Sequence, residues 1–217
     1  MPAALTPYAG PGRFLAFEGA DASGKSTQIR LLADRLRAAG VDVLVSREPG
    51  GTAVGARIRS LVLDHSDEGA LLSPRAEALL MAADRAQHVA EVIRPALRAG
   101  RTVLCDRYLG SSIAYQGVGR GLGAEPIERL SLWATEDLVP TLTIVIRVPV
   151  EISLERLAAQ GSPDRLESLG PAFVGRVSEG YEQLMNRPAT VGVWGIGTPA
   201  EVAERVWSAL VDAGVMP

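Results

Sequence analysis

Gly19-Ala20-Asp21-Ala22-Ser23-Gly24-Lys25-Ser26 matches G-x-x-x-x-G-K-[ST], the phosphate-binding loop, and its flanks are of the right kind. Phe14-Leu15-Ala16-Phe17 before it is a short apolar run suited to a buried strand. Thr27 to Ala39 after it carries Ile29, Leu32 and Leu36 at helical spacing. A chance Gly-Lys-Ser turn would not need both flanks. Strand, glycine loop and helix start, in that order, let the backbone wrap a phosphate with successive N–H groups turned inward, at a helix end of partial positive charge. The segment Gly19 to Thr27 therefore reads as a nucleoside triphosphate site. Lys25 reaches the β- and γ-phosphates, and Ser26 offers its hydroxyl to Mg²⁺.

Working outward, strands are expected at Val41–Val45, Thr102–Cys105, Thr141–Ile146 and Val191–Trp194. Helices are expected at Val54–Leu63, Ser73–Ala99, Pro126–Leu138, Glu151–Ala159, Ala172–Asn186 and Pro199–Ala213. Ser73-Pro74 is a cap followed by proline at the first helical position, and Pro95 should kink the long helix or restart its last turn. Gln160-Gly161-Ser162-Pro163 breaks the helix before it. Strands alternating with helices give a parallel sheet covered on both faces, whose ligands bind beyond the carboxyl ends of the strands. The phosphate loop, Arg47-Glu48 and Asp106-Arg107-Tyr108 all fall there.

The 217 residues suit one α/β domain, residues 13–217, with a lid at about residues 151–170. Residues 1–12, rich in Ala, Pro and Gly without a basic start or apolar core, read as a flexible tail and not a signal peptide. A hydrophobic share of 47%, a charged share of 22% and a net charge of −3 argue against a broad nucleic-acid face. No apolar run reaches membrane-spanning length, so the expectation is a cytoplasmic protein with no membrane or nucleic-acid partner. The lone Cys105, inside an apolar run, reads as a packed, inert thiol. His65 and His88 have no metal-site spacing.

From about residue 13 onward the chain resembles the bacterial thymidylate kinases, which transfer a phosphoryl group from ATP to dTMP. The resemblance rests on Phe17-Glu18-Gly19 with the phosphate loop, Arg47-Glu48-Pro49-Gly50-Gly51-Thr52, Ala82-Ala83-Asp84-Arg85-Ala86-Gln87-His88, and Asp106-Arg107-Tyr108 leading to Ser111-Ser112-Ile113-Ala114-Tyr115-Gln116-Gly117. Asp164-Arg165-Leu166-Glu167 is similar to the end of the family's lid. It implies a P-loop NTPase fold, a three-layer α/β/α sandwich on a five-stranded parallel sheet. It also implies ATP as donor, Mg²⁺ as cofactor and a homodimer built through the long helices.

The resemblance assigns roles to single residues, beside which plainer readings stay open. Asp106, ending an apolar strand, is a magnesium carboxylate or a helix cap. Arg107 takes the dTMP phosphate, or makes a salt bridge to Asp106 or to another helix, and the two roles are compatible. Arg59 helps clamp that phosphate or is a solvated arginine. Arg85 meets the thymine carbonyls or lies on a helix surface. Gln116 suits a pyrimidine edge, with Ser111 and Ser112 in the same segment, and Tyr115 packs under the deoxyribose or in the core. Asp21 faces the dTMP sugar or the surface, Glu48 orients the acceptor-site arginines, and Glu18 is structural. Arg156 and Arg165, with Lys25 and Arg107, stabilise the transferring phosphoryl group, since Ala20, Asp21, Ala22 and Ser23 hold no arginine.

Met81 stands where the family stacks a phenylalanine on thymine, and Ser178 where relatives often have a second arginine. A deoxynucleoside kinase with Glu48 as general base, and a non-catalytic ATP-binding module, are the rival readings.

Overall fold

The computed structural model describes residues 6–64, 72–161 and 165–216. β1 (Arg13–Glu18) is the central strand of a five-stranded sheet, with β2 at Val43–Arg47, β3 at Thr102–Asp106, β4 at Leu142–Arg147 and β5 at Thr190–Trp194. The order is β2-β3-β1-β4-β5, and every pairing is parallel. The chain leaves β1 toward β2 and later crosses back to β4, so the strand order reverses at β1, where a crevice opens beyond the carboxyl ends.

Alternation along β1 sorts the core into two layers. Leu15 and Phe17 face α1 (Lys25–Ala38) and α9 (Pro199–Asp212), packing with Ile29, Leu36, Val206 and Leu210. Phe14 and Ala16 face the other helices, among them α3 (Pro74–His88) and α8 (Pro171–Leu184). Sheet and two helical layers make the expected α/β sandwich. Local signals behave as their chemistry requires. Ser73 caps α3 through Ala76 N–H, and Thr198 and Glu201 form a reciprocal capping box on α9.

Three expectations shift. The strand read at Val41–Val45 pairs instead over Val43–Arg47, bringing Arg47 beside Asp106 in the ladder and Glu48 one residue beyond it. The long helix read from Ser73 to Ala99 is three pieces: α3, a π-helical turn at Val89–Ile93, and α4 (Arg94–Arg98). Pro95 has no N–H and its ring crowds the carbonyl four residues back, and the widened turn relieves that contact. The segment after Tyr108, not read as helix, is α5 (Leu109–Ser112) continuing into a π-helix over Ile113–Gly119. Its glycines and serines are weak helix formers, so packing rather than propensity holds it.

α6 (Ala124–Thr135) and α7 (Val150–Gln160) complete the helices that bear on the site, after α2 (Ala53–Leu63). Part of the segment expected as a tail is tied down. Tyr8 N–H donates to the Val139 carbonyl, and Thr141 Oγ1 donates to the Tyr8 carbonyl. His65 and Asp164 lie outside the described residues.

α8 crosses the π-helix where Gly180 meets Ala114, and a Cβ on Gly180 would lie 2.7 Å from the Ala114 Cα. On the same helix a Cβ on Gly175 would meet nothing within 4 Å. Gly180→Ala should therefore cost about 1–3 kcal/mol, read as a lower urea midpoint. Gly175→Ala should be neutral or stabilise by up to ~1 kcal/mol.

Candidate active site

The phosphate loop runs from the end of β1 to Gly24, which caps α1 at φ 98°, a left-handed conformation in which a side chain would be strained. Lys25, the only lysine in the chain, opens the helix and folds back into the loop. Its Nζ donates to the carbonyls of Gly19 at 2.9 Å and Ala20 at 2.8 Å. Burial, followed by the nearby Arg107 charge, pulls the Lys25 ammonium down to about 8. Ser26 Oγ donates to Asp106 Oδ2 at 2.6 Å. Both line a cavity of about 430 Å³ with Asp21, Ala22, Gly24, Lys25, Thr27 and the neighbouring arginines.

Arg107 follows the last residue of β3 in a left-handed backbone conformation, φ 72°. That conformation is unfavourable for arginine and persists because the side chain is held at every turn. Nη1 donates to Gly19 O at 3.0 Å, Ser111 Oγ at 3.1 Å and Tyr181 Oη at 2.7 Å. Nη2 donates to Asp21 and, at 3.2 Å, to Tyr115 Oη, and Tyr115 donates in turn to Asp21. Burial raises the Asp21 carboxyl, but the charges of Arg107 and then Lys25 outweigh it and hold it below the usual range. Asp21 thus stands half-buried in the cavity wall with its charge met by Arg107, which pairs with it and not with Asp106. Behind this cluster Glu18 is fully buried and accepts from Tyr108 N–H and Ser111 Oγ, a structural role.

A second chamber, about 80 Å³, adjoins the first and shares Asp21, Glu48, Arg59 and Arg107 with it. Pro49, Leu63, Met81, Ser111, Tyr115, Gln116 and Leu166 complete its wall. Arg59 Nη1 donates to Pro49 O at 3.2 Å. Glu48 is buried, accepting from Arg85 Nε at 2.7 Å on one oxygen and bonded to His88 Nδ1 at 2.9 Å through the other.

Several expected site residues stand elsewhere. Arg85 is 1% exposed and absent from both chamber walls, because Glu48, Ser112, Ser131 and the Tyr108 carbonyl take its three nitrogens. It is neither a surface arginine nor a group presented to the cavity. Ser112 is engaged by Arg85 in the same way. Arg165, expected at the transferring phosphoryl group, donates to Val62 O at 2.6 Å and Glu77 Oε2 at 2.8 Å, away from the phosphate loop. Arg156 on α7 does lie by the loop, 3.3 Å from Ala22 O. With both oxygens of Glu48 engaged, the general base a hydroxyl acceptor would need is committed elsewhere.

Glu48, His88 and Cys105 offer ligand atoms within 4.8 Å of one another, but the second nitrogen of His88 is bonded to Ser46 Oγ at 2.6 Å. The trio is a buried hydrogen-bonded cluster, and burial raises the Cys105 thiol well above its ordinary value. Sequence reasoning missed Tyr181, Glu77, Arg120 and Leu166. Leu166, read only as part of the lid's end, lines the smaller chamber, Tyr181 bonds Arg107, and Glu77 and Arg120 lie behind Gln116, outside both chamber walls. Arg47 also escaped a role, yet its side chain lines the larger chamber.

A phosphate loop at the switch point of a parallel sheet, with a hydroxyl–carboxylate pair at its mouth and an arginine-lined second chamber, defines a P-loop nucleotide kinase. The family model for thymidylate kinase matches residues 17–204. A thymidylate kinase of Bifidobacterium longum subsp. infantis is 46% identical over 92% of this chain and 84% of its own. One from Pseudomonas syringae pv. tomato is 52% identical over 78% and 80%, and one from Deinococcus radiodurans is 43% identical over 94% and 98%. The chain belongs to the thymidylate kinase family, and it is an ATP-dependent nucleotide kinase.

A bound triphosphate stabilises the charged form of Lys25, so its binding above pH ~8 takes up a proton and affinity falls as pH rises through that value. Amine labelling followed by peptide mapping, with Lys25 the only ε-amine, should give half-maximal reactivity near about pH 8 and strong protection by Mg·ATP.

Proposed function

We propose that this chain transfers the γ-phosphoryl group of Mg·ATP to dTMP, giving dTDP and ADP. The observation that carries this reading is the pair of joined chambers, one at the phosphate loop and one with a Tyr, a Gln and a Met in its wall, meeting at Arg107 and Arg59. The larger takes the phosphates of ATP along Gly19 to Thr27. The smaller takes dTMP, with Arg107 and Arg59 on its phosphate, Tyr115 and Asp21 against the sugar, and Met81, Gln116 and Ser111 around the base. Glu48 is part of the wall where the two chambers meet, and Arg85 and Ser112 support it from behind.

A phosphate monoester has its second pKa near about 6, so the acceptor oxygen is already ionised at neutral pH and needs no general base. This agrees with a Glu48 occupied by Arg85 and His88. Catalysis then rests on positioning and charge. Lys25 and Arg107 hold the two phosphates against each other, and Arg156 adds charge from α7. Arg165 holds the lid segment on Glu77 in the conformation described and would have to leave that carboxylate to reach the phosphoryl group. The Ser26 hydroxyl and Asp106 carboxylate are hard oxygen donors at the mouth of the loop and fit Mg²⁺, which when bound offsets phosphate charge.

Among the described residues no helix is long and apolar enough to cross a membrane, in keeping with work in the cytoplasm. Leu61, Leu79 and Trp133 stand 62%, 59% and 81% exposed on α2, α3 and α6, which supports a homodimer formed through these helices.

Two measurements test the reading. With Mg·ATP, product-resolved assays of dTMP, other nucleoside monophosphates and thymidine should yield dTDP chiefly from dTMP. Lys25→Ala should cost at least ~100-fold in kcat. Transfer to thymidine alone would return Glu48 to the role of base, and no transfer at all would leave a nucleotide-binding module. In sedimentation velocity the protein should run as a dimer, and Trp133→Glu should shift it toward monomer.

A further inference from the structure

Glu77 lies on α3 with 0% exposure and touches neither chamber. The groups bonded to its two oxygens among the described residues are donors. Oε1 accepts from Gln116 Nε2 at 3.0 Å and Arg120 Nε at 3.3 Å. Oε2 accepts from Arg120 Nη2 at 2.6 Å and Arg165 Nη2 at 2.8 Å. Burial raises this carboxyl, but the bonds from Arg120 and Gln116 and the arginine charges overcome it and hold it below the usual range, so it stays ionised. An ionised carboxylate accepts and never donates.

This settles the orientation of Gln116. A glutamine amide can present either end, but only its NH₂ can face Glu77. Its carbonyl oxygen is then left over, and Gln116 Oε1 is a buried atom without a hydrogen-bond partner among the described residues. Gln116 is fully buried and lines the smaller chamber. A buried, unsatisfied acceptor in a cavity wall is costly until a ligand N–H meets it.

We infer that Glu77 is a specificity-determining positioning residue: by fixing the Gln116 amide it makes the acceptor chamber select a pyrimidine whose ring N3 carries a hydrogen and donates it. The inference rests on the proposed nucleoside monophosphate acceptor. Thymine and uracil carry N3–H and satisfy Gln116 Oε1. Cytosine has a bare N3, which would set two acceptors against each other. Arg120 and Arg165 supply the charge that keeps Glu77 ionised, so the lid segment carrying Arg165 also contributes to reading the base.

Glu77→Gln tests it. The two guanidinium donors on Oε2 keep the introduced amide's carbonyl at that position, which puts its NH₂ opposite Gln116. Gln116 then turns its own carbonyl toward that NH₂ and its own NH₂ to the chamber. The kcat/KM for dTMP should fall by about tenfold or more, while that for dCMP holds or rises. The ratio of the two is the readout, because a merely structural loss would lower both together. KM for ATP should not move. In a Gln116→Met background, Glu77→Gln should leave the ratio unchanged, since the effect runs through Gln116. Should Glu77→Gln not fold, Gln116→Met alone decides, because an unaltered preference for dTMP over dCMP in that variant overturns the inference. So does an unaltered ratio in Glu77→Gln when the wild type converts dTMP. A wild type that converts no thymidylate overturns the underlying reading instead.

Discussion

The guanidinium of Arg107 is the joint on which the site depends. It bridges the phosphate loop at Gly19 and Asp21, the helical segment after β3 at Ser111 and Tyr115, and α8 at Tyr181. A largely buried arginine is tolerable only when its donors are met and its charge has a counter-ion. Those demands fix the relative positions of three segments far apart in sequence. The left-handed backbone at Arg107 is the local strain that this arrangement sustains. It also explains the acid inside the phosphate loop, since Asp21 is the counter-ion of Arg107 and not a repulsive neighbour of a triphosphate.

The same device recurs in and behind the wall of the acceptor chamber. Glu18, Glu48 and Glu77 are buried carboxylates, and each gathers donors from segments that would otherwise have no reason to meet. Glu18 holds the first turn of α5, Glu48 holds Arg85 and His88, and Glu77 holds Gln116, Arg120 and Arg165. The chemistry offered to a ligand is therefore decided one layer behind the surface that would touch it. Each acid takes up the donors facing it, and what remains pointing at the cavity is the complement.

Much of the fold was legible because its signals are local. The phosphate loop occupies a few consecutive residues, the two-residue alternation of Phe14 to Phe17 sorts the core, and Ser73 and Thr198 mark helix starts through bonds to neighbours three residues on. Legibility failed where packing overrides propensity. The helix from Leu109 to Gly119 is rich in glycine and serine, and only its contact with α8 makes its winding intelligible. The displaced start of β2 has the same origin, since its register is set by β3 and not by its own apolar run.

The sequence by itself determined that a phosphate-binding loop sits at the end of a buried strand in a parallel α/β sheet, and which segments carry the polar groups around it. Those facts follow from spacing along one stretch of chain. Only the tertiary structure decided which arginine each buried acid would take. Arg85 went to Glu48, Arg107 to Asp21, and Arg165 to Glu77, across separations of 37, 86 and 88 residues. A guanidinium looks the same to every carboxylate in the sequence, and its partner is chosen by distance and burial, which exist only once the chain has folded.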